Sequence, residues 1–163
     1  MKLLILAAAM AAAAGTAVAQ EYPARNITLV ATDARENALT PADAVLVDAP
    51  CTGTGTFRRH PDARWRLKVS DLAVSAAAQR AILRSAGALV KPGGLLIYST
   101  CSLEPEENEA QVTQFLAEHA DYTLEPPPDG VVPPSTLDDG MLRVLPQRHG
   151  ADGAFAARLR RRA

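Results

Sequence analysis

Two apolar runs constrain this chain more than anything else in it. Ala44-Val45-Leu46-Val47 leads into Asp48-Ala49-Pro50-Cys51, and Leu95-Leu96-Ile97-Tyr98 leads into Ser99-Thr100-Cys101. Each has the length and the apolar content of a strand, and each is closed by turn-forming or polar residues. Between them Ile82, Leu83, Ala86, Leu89 and Val90 recur at helical spacing, which predicts a helix from Asp71 to Val90 with Ser70 as its N-cap and Lys91-Pro92-Gly93-Gly94 as its stop. Strands alternating with helices make this an α/β chain, and continuous apolar strands are those buried on both faces of a parallel sheet. Both runs then deliver their last residues to the carboxyl edge of one sheet, where open α/β folds keep their sites. The alternative is that both cysteines are small buried hydrophobes, as most free ones are. Their positions beside turns, each followed by polar groups, favour chemistry.

The remaining elements follow from the same signals. Ile27 to Ala31 is a short strand candidate, left through the polar loop Asp33-Ala34-Arg35-Glu36, and Pro41-Ala42-Asp43 turns the chain into the first of the two apolar runs. A long loop from Pro50 to Val69 contains Gly53, Gly55 and Pro61. Pro105 is expected to open a second helix, with Glu106 and Glu107 in its first turn where the helix dipole favours anions. Val112, Phe115, Leu116 and His119 share one face of it, which directs the acidic block Glu104, Glu106, Glu107 and Glu109 to solvent and makes His119 a partly buried face residue. Pro126 to Pro134 reads as a surface loop. Met141 to Leu145 and Ala154 to Leu159 are the last strand candidates, flanking a stretch of hairpin-loop composition from Gln147 to Gly153.

At 163 residues and 48% hydrophobic content the chain has enough apolar surface for one globular domain. A formal net charge of -1 conceals an uneven layout: a basic block of Arg58, Arg59, Arg64, Arg66 and Lys68, the acidic block, and a basic tail of Arg158, Arg160, Arg161 and Arg162. Each patch is either a solvated face or, for the basic ones, a contact for phosphate. Two cysteines and three scattered histidines do not make a metal site. Met1-Lys2, the apolar run from Leu3 to Ala14 and Ala17-Val18-Ala19 have the order of a secretory signal peptide, and the run is too short and alanine-rich for a stable membrane span. Gln20 to Val30 resembles the mature start of periplasmic solute-binding proteins of the tripartite tricarboxylate transporter type.

Three longer motifs carry a second resemblance. Asp48-Ala49-Pro50-Cys51-Thr52-Gly53-Thr54-Gly55-Thr56-Phe57-Arg58-Arg59-His60-Pro61-Asp62, then Tyr98-Ser99-Thr100-Cys101-Ser102-Leu103-Glu104-Pro105-Glu106-Glu107-Asn108, then Gly150-Ala151-Asp152-Gly153-Ala154-Phe155 resemble, in that order, the RsmB type of the Nop/Sun RNA cytosine-5 methyltransferases, across about residues 31 to 160. The resemblance implies methyl transfer from S-adenosylmethionine to carbon 5 of a cytosine, usually in small-subunit ribosomal RNA, by a cytoplasmic enzyme. It implies that Cys101 is the nucleophile and that Cys51 helps to release the product. Asp48 belongs by resemblance to the contacts of the cofactor or of the flipped base, and Asp33 to the adenine side of the cofactor. The residue types suit the reaction: carbon 5 is a poor nucleophile until a thiolate adds to carbon 6, and cysteine is both a good nucleophile near neutrality and a competent leaving group. Arg58, Arg59 and His60, in the loop after Cys51, would either meet RNA phosphates or be salt-bridged to the acidic helix.

The chain also departs from that pattern. No glycine-rich cofactor loop and no second acidic strand end precede Asp33, and no RNA-binding extension precedes the catalytic part. The expected fold is therefore an incomplete Rossmann-like class I methyltransferase sheet with flanking helices and its first strands missing. Residues 1–26 are a signal-peptide-like leader and foreign start, and 27–163 a partial S-adenosylmethionine-dependent methyltransferase domain. The Ala44 to Val47 strand would then keep an unpaired edge, and cofactor binding would be weak. The competing expectations are an exported binding or interaction module that tolerates loss of both thiols, and an inactive fragment that folds only with a partner. In an exported chain the two cysteines would pair as a disulfide, whereas a nucleophile must stay reduced.

Overall fold

In the computed structural model, which describes residues 41–163, the two apolar runs are neighbouring parallel strands. Strand β1 (Ala42–Asp48) pairs with β2 (Val90–Thr100) in a register that sets Val45 against Leu96, Val47 against Tyr98 and Asp48 against Ser99. Parallel neighbours need a crossover, and α1 (Val69–Leu89) supplies it. The loop before α1 makes short 3-10 turns at Thr54–Thr56 and Ala63–Trp65. After β2 come α2 (Glu109–Glu118), β3 (Tyr122–Leu124), β4 (Leu137–Asp138), β5 (Met141–Val144), the single turn α3 (Pro146–His149) and β6 (Ala154–Arg161). The sheet runs β1-β2-β6-β5-β4, with β3 also on β6, and every pairing other than β1 with β2 is antiparallel.

The core follows the twofold period of the two central strands. Leu96, Tyr98 and Thr100 of β2 and Phe155, Ala157 and Leu159 of β6 are buried, while the residues between them are only partly so. Leu83 and Ala86 of α1 and Val112 and Phe115 of α2 join the same apolar cluster. The two helices are locked to the sheet's far end through Tyr122, whose hydroxyl donates to the carbonyl of Gly87 at 2.8 Å and whose ring stands edge-on to Phe115 at 5.0 Å between centroids. The less buried positions of β6 carry charge: Arg158 and Arg160 both hold Glu125, which follows β3, at 2.7 and 2.6 Å.

Several sequence expectations are corrected. Helix α1 begins at Val69 with Lys68 as its N-cap, because the side chain of Asp71 turns back to accept the Lys68 amide at 2.9 Å; Ser70 lies inside the first turn. The helix does stop before Lys91, at Leu89, but Lys91 to Gly94 are not its cap. They form a bulge inside β2, since Ala42 faces Val90 while Ala44 already faces Leu95, so that four residues of β2 stand opposite Asp43 alone. Gly93, at φ +74°, makes the turn within it. Helix α2 starts at Glu109, four residues after Pro105, because residues 105–108 form tight turns, with the Glu107 amide on the Glu104 carbonyl at 3.1 Å. Strand β1 is not buried on both faces: Val47 is 7% exposed and Leu46 61%. The stretch from Gln147 to Gly153 holds most of α3, pinned where the Leu145 amide donates to His149 Nδ1 at 2.8 Å. Among the described residues β1 has one partner strand, β2. The Ile27 to Ala31 strand, Asp33 and the leader lie outside the described residues.

The alternation yields a paired prediction. Leu96→Ala should cost about 2–5 kcal/mol of unfolding free energy because it leaves a cavity under both helices, whereas Leu46→Ala should stay within about 0.5 kcal/mol. Urea titrations of the two variants followed by circular dichroism compare them directly.

Candidate active site

Parallel pairing is what brings the two thiols together. Cys51 follows the end of β1 by three residues and Cys101 directly follows β2, and the ladder is extended past the strand end by the Ala49 amide on the Ser99 carbonyl at 2.9 Å. The two sulfurs lie 3.4 Å apart, both cysteines are free, and both are half-buried. Burial, and then the hydrogen bond with Cys101, push the Cys51 thiol up to about 11. Cys51 is thus protonated near neutral pH, and either sulfur can be the donor in the contact between them.

A buried carboxylate holds the Cys51 loop in place. Glu107 is fully buried, contrary to the expectation that the whole acidic block faces solvent. The turns at 105–108 aim it inward, where Oε1 accepts the Thr52 amide at 2.9 Å and Gln79 Nε2 at 3.1 Å, and Oε2 accepts the Thr52 hydroxyl at 2.5 Å. Gln79, buried at mid-helix in α1, also donates to the Pro50 carbonyl at 2.9 Å. The residues on either side of Cys51 are therefore both tied to the Glu107 and Gln79 pair. The Cys101 side is tied in the same way: Thr100 Oγ1 donates to Asn108 Oδ1 at 2.5 Å, and Asn108 Nδ2 donates to the Ser102 carbonyl at 2.9 Å. The Tyr98 hydroxyl donates to the Glu107 carbonyl at 2.6 Å, and burial, with the Glu107 charge behind it, raises the phenol far above its ordinary value.

The three sequence motifs meet at Gly55. Its amide donates to the Cys101 carbonyl at 2.9 Å and its carbonyl accepts the Gly153 amide at 2.8 Å. A Cβ there would come within 2.6 Å of the Cys101 carbonyl oxygen and 2.7 Å of that of Gly153, so only glycine allows the approach. The third motif is thus structural: Gly153 packs on Gly55, and Phe155 enters the core edge-on to Tyr98.

Other candidate residues fall into place less uniformly. Asp48 is exposed at the carboxyl end of β1 with one oxygen accepting from the Ser99 hydroxyl at 3.2 Å. Arg58 and Arg59 are not salt-bridged to the acidic helix; both bind Asp152, Arg58 at 3.6 Å and Arg59 through Nε, while their side chains stay 57% and 69% exposed. His60 is exposed and lines a separate shallow depression of about 390 Å³ with Asp62, Arg66 and Asp71. Among the described residues no group of three metal-ligating side chains occurs and no helix is long and apolar enough to cross a membrane. Gln79, Glu107 and Asn108, which hold the two cysteine loops, are not among the site residues expected from sequence. The available signal was a glutamine on the apolar stripe of α1, three to four residues from Ala76 and Leu83.

Comparison with known proteins gives a consistent result. The family model described as 16S rRNA methyltransferase RsmB/F matches residues 12–160. Ribosomal RNA small subunit methyltransferase B of Thermus thermophilus is 46% identical over 121 residues, covering 74% of this chain and 29% of that protein. The protein of the same name from Pasteurella multocida is 43% identical over 119 residues, covering 73% and 26%. Among solved structures, NSun6 from Pyrococcus horikoshii with SFG superposes with a TM-score of 0.69 at 32% identity, over 84% of this chain and 35% of that one. This chain spans between a quarter and a third of the length of such curated relatives.

The buried carboxylate gives the prediction here. Glu107→Ala removes the acceptor of the Thr52 amide and one of the two acceptors of the buried Gln79 Nε2, and should cost about 2–4 kcal/mol. Glu107→Gln keeps an acceptor for both and should cost less. Thermal unfolding of the two variants ranks them.

Proposed function

The chain belongs to the RsmB/F family of 16S rRNA methyltransferases, and from that membership we propose that its paired thiols carry out methyl transfer to carbon 5 of a cytosine in small-subunit ribosomal RNA. The 3.4 Å approach of Cys51 and Cys101 at the carboxyl edge of the sheet is the observation that carries the proposal. Cys101 is the proposed nucleophile because it matches the nucleophile position of the family motif, and the burial that pushes the Cys51 thiol up disfavours Cys51 for that role. Attack of Cys101 on carbon 6 loads electron density onto carbon 5, which then takes the methyl group. A base has to take the carbon 5 proton before the bond from sulfur to carbon 6 can break, and Cys51, beside Cys101, is the residue proposed to help release the methylated product.

S-adenosylmethionine is the methyl donor in this reading; when bound it supplies an electrophilic methyl group. Asp48 fits one polar contact to it, being exposed at the strand end with one carboxylate oxygen already oriented by Ser99. Asp33 is a second proposed contact. Arg58 and Arg59 suit the RNA backbone: Asp152 fixes their direction while leaving them open to solvent, so little side-chain freedom is lost when they meet phosphate. His60 is the third residue proposed to touch RNA. A ribosomal RNA substrate places the reaction in the cytoplasm.

Two measurements test these assignments. With excess S-adenosylmethionine, small-subunit RNA containing 5-fluorocytosine should form a covalent complex that survives a denaturing gel, because fluorine cannot leave as the proton does. Cys101→Ala should abolish it and Cys51→Ala should not; a complex that persists without Cys101 would overturn the assignment. Separately, Cys51 in the folded, reduced chain at pH 8 should alkylate with iodoacetamide at least about tenfold more slowly than in urea, as a shift from about 9 to about 11 requires. Peptide mass spectrometry reads both rates.

A further inference from the structure

We propose that Cys51 and Cys101 form a reversible disulfide when the chain meets a hydroperoxide, so that the pair serving methyl transfer also switches it off. The inference rests on the preceding reading only for that consequence; formation of the bond depends on the thiol geometry alone.

The sulfurs already stand 3.4 Å apart, so a small side-chain rotation reaches the roughly 2.05 Å of a disulfide. Fifty residues separate the two cysteines, yet little chain entropy remains to be lost in joining them. The loop beside Cys51 is fixed at Pro50 by Gln79 and at Thr52 by Glu107, and the Cys101 carbonyl is fixed by the Gly55 amide. Both cysteines keep partial access to solvent, so a small oxidant can reach them. Most buried cysteine pairs lack that access and stay inert.

The chemistry balances with a hydroperoxide as the oxidant. The Cys101 sulfur, as thiolate, attacks one peroxide oxygen; the oxygen to oxygen bond breaks, Cys101 becomes a sulfenic acid, and the other oxygen leaves as water or alcohol. The Cys51 sulfur then displaces the hydroxyl, giving up its own proton, and a second water departs as the sulfur to sulfur bond forms. Two electrons pass from the two sulfurs to the peroxide. Burial of the Cys51 thiol assigns the first attack to Cys101 and leaves Cys51 to resolve the sulfenic acid. A dithiol reductant reverses the sequence. With its sulfur in the disulfide, Cys101 has no thiolate to add to a cytosine.

The test is made on the full reduced chain treated with hydrogen peroxide, with neither cofactor nor RNA present. Expected are an intact mass lower by two hydrogens, loss of both titratable thiols, a cross-linked peptide pair joining residues 51 and 101, and full recovery with dithiothreitol. In Cys51→Ser the same treatment should leave a sulfenic acid on Cys101 that dimedone traps and that gains further oxygen when dimedone is omitted. The proposal is overturned if the wild-type chain only gains oxygen, or if the disulfides that form join separate chains. Because the readout is mass, its failure would leave the methyl-transfer reading standing. Conversely, loss of the 5-fluorocytosine complex would not touch the disulfide.

Discussion

Three stretches of backbone converge on Gly55 with no space for a side chain between them, and the rest of the site depends on that contact. The amide and carbonyl of this one residue join the loop after β1 to the end of β2 and to the turn before β6. With the three held together, the two cysteines have fixed positions, Asp152 is brought to the arginines, and Phe155 is directed into the core against Tyr98. The approach is made by main chain, so it is as stiff as the strands that lead into it. A site that must hold two sulfurs in contact gains more from such a junction than from side-chain contacts on flexible loops.

Glu107 solves a related problem at a different energetic cost. A carboxylate removed from water is unfavourable unless its oxygens are filled with donors, and here three are supplied by Thr52 and Gln79. The arrangement makes the Cys51 loop conditional on the turn at 105–108 and on α1, since each contributes one member of the network. A hydrophobic substitute would pack but would leave the Thr52 amide without its acceptor and Gln79 Nε2 with only the Pro50 carbonyl. The buried charge therefore selects one loop conformation rather than adding much net stability.

The thiol pair was legible in the sequence because a strand, a helix and a second strand can be joined in few ways, and parallel neighbours end on the same edge. The core faces of β2 and β6 were legible for a similar reason, as their apolar residues alternate. Glu107 was not, because its burial is set by where α2 begins: a helix starting at Pro105 would have left it among solvated acids, and four residues of turn carry it inward instead. Lys91 to Gly94 have the composition of a helix stop, and composition does not distinguish that from a bulge facing Asp43. The partner of Arg58 and Arg59 could not be read locally either, since Asp152 lies about ninety residues further on. The short strands β3 and β4 exist through pairing with β6 and β5 rather than through any pattern of their own.

Strand β6 is last among the described strands in chain order yet central in the sheet, bonded to β2 on one side and to β5 and β3 on the other. During synthesis, every earlier element is made before the segment that unites them. Until residues 154–161 leave the ribosome, β2 keeps an open edge and Leu96 and Tyr98 lack their neighbours Leu159 and Ala157. Such a topology folds late, through distant pairings whose loop-closure entropy is lost before the contacts form. A chain with β2 made and β6 not yet made therefore presents an open strand edge flanked by apolar side chains, the kind of surface through which partly folded chains aggregate.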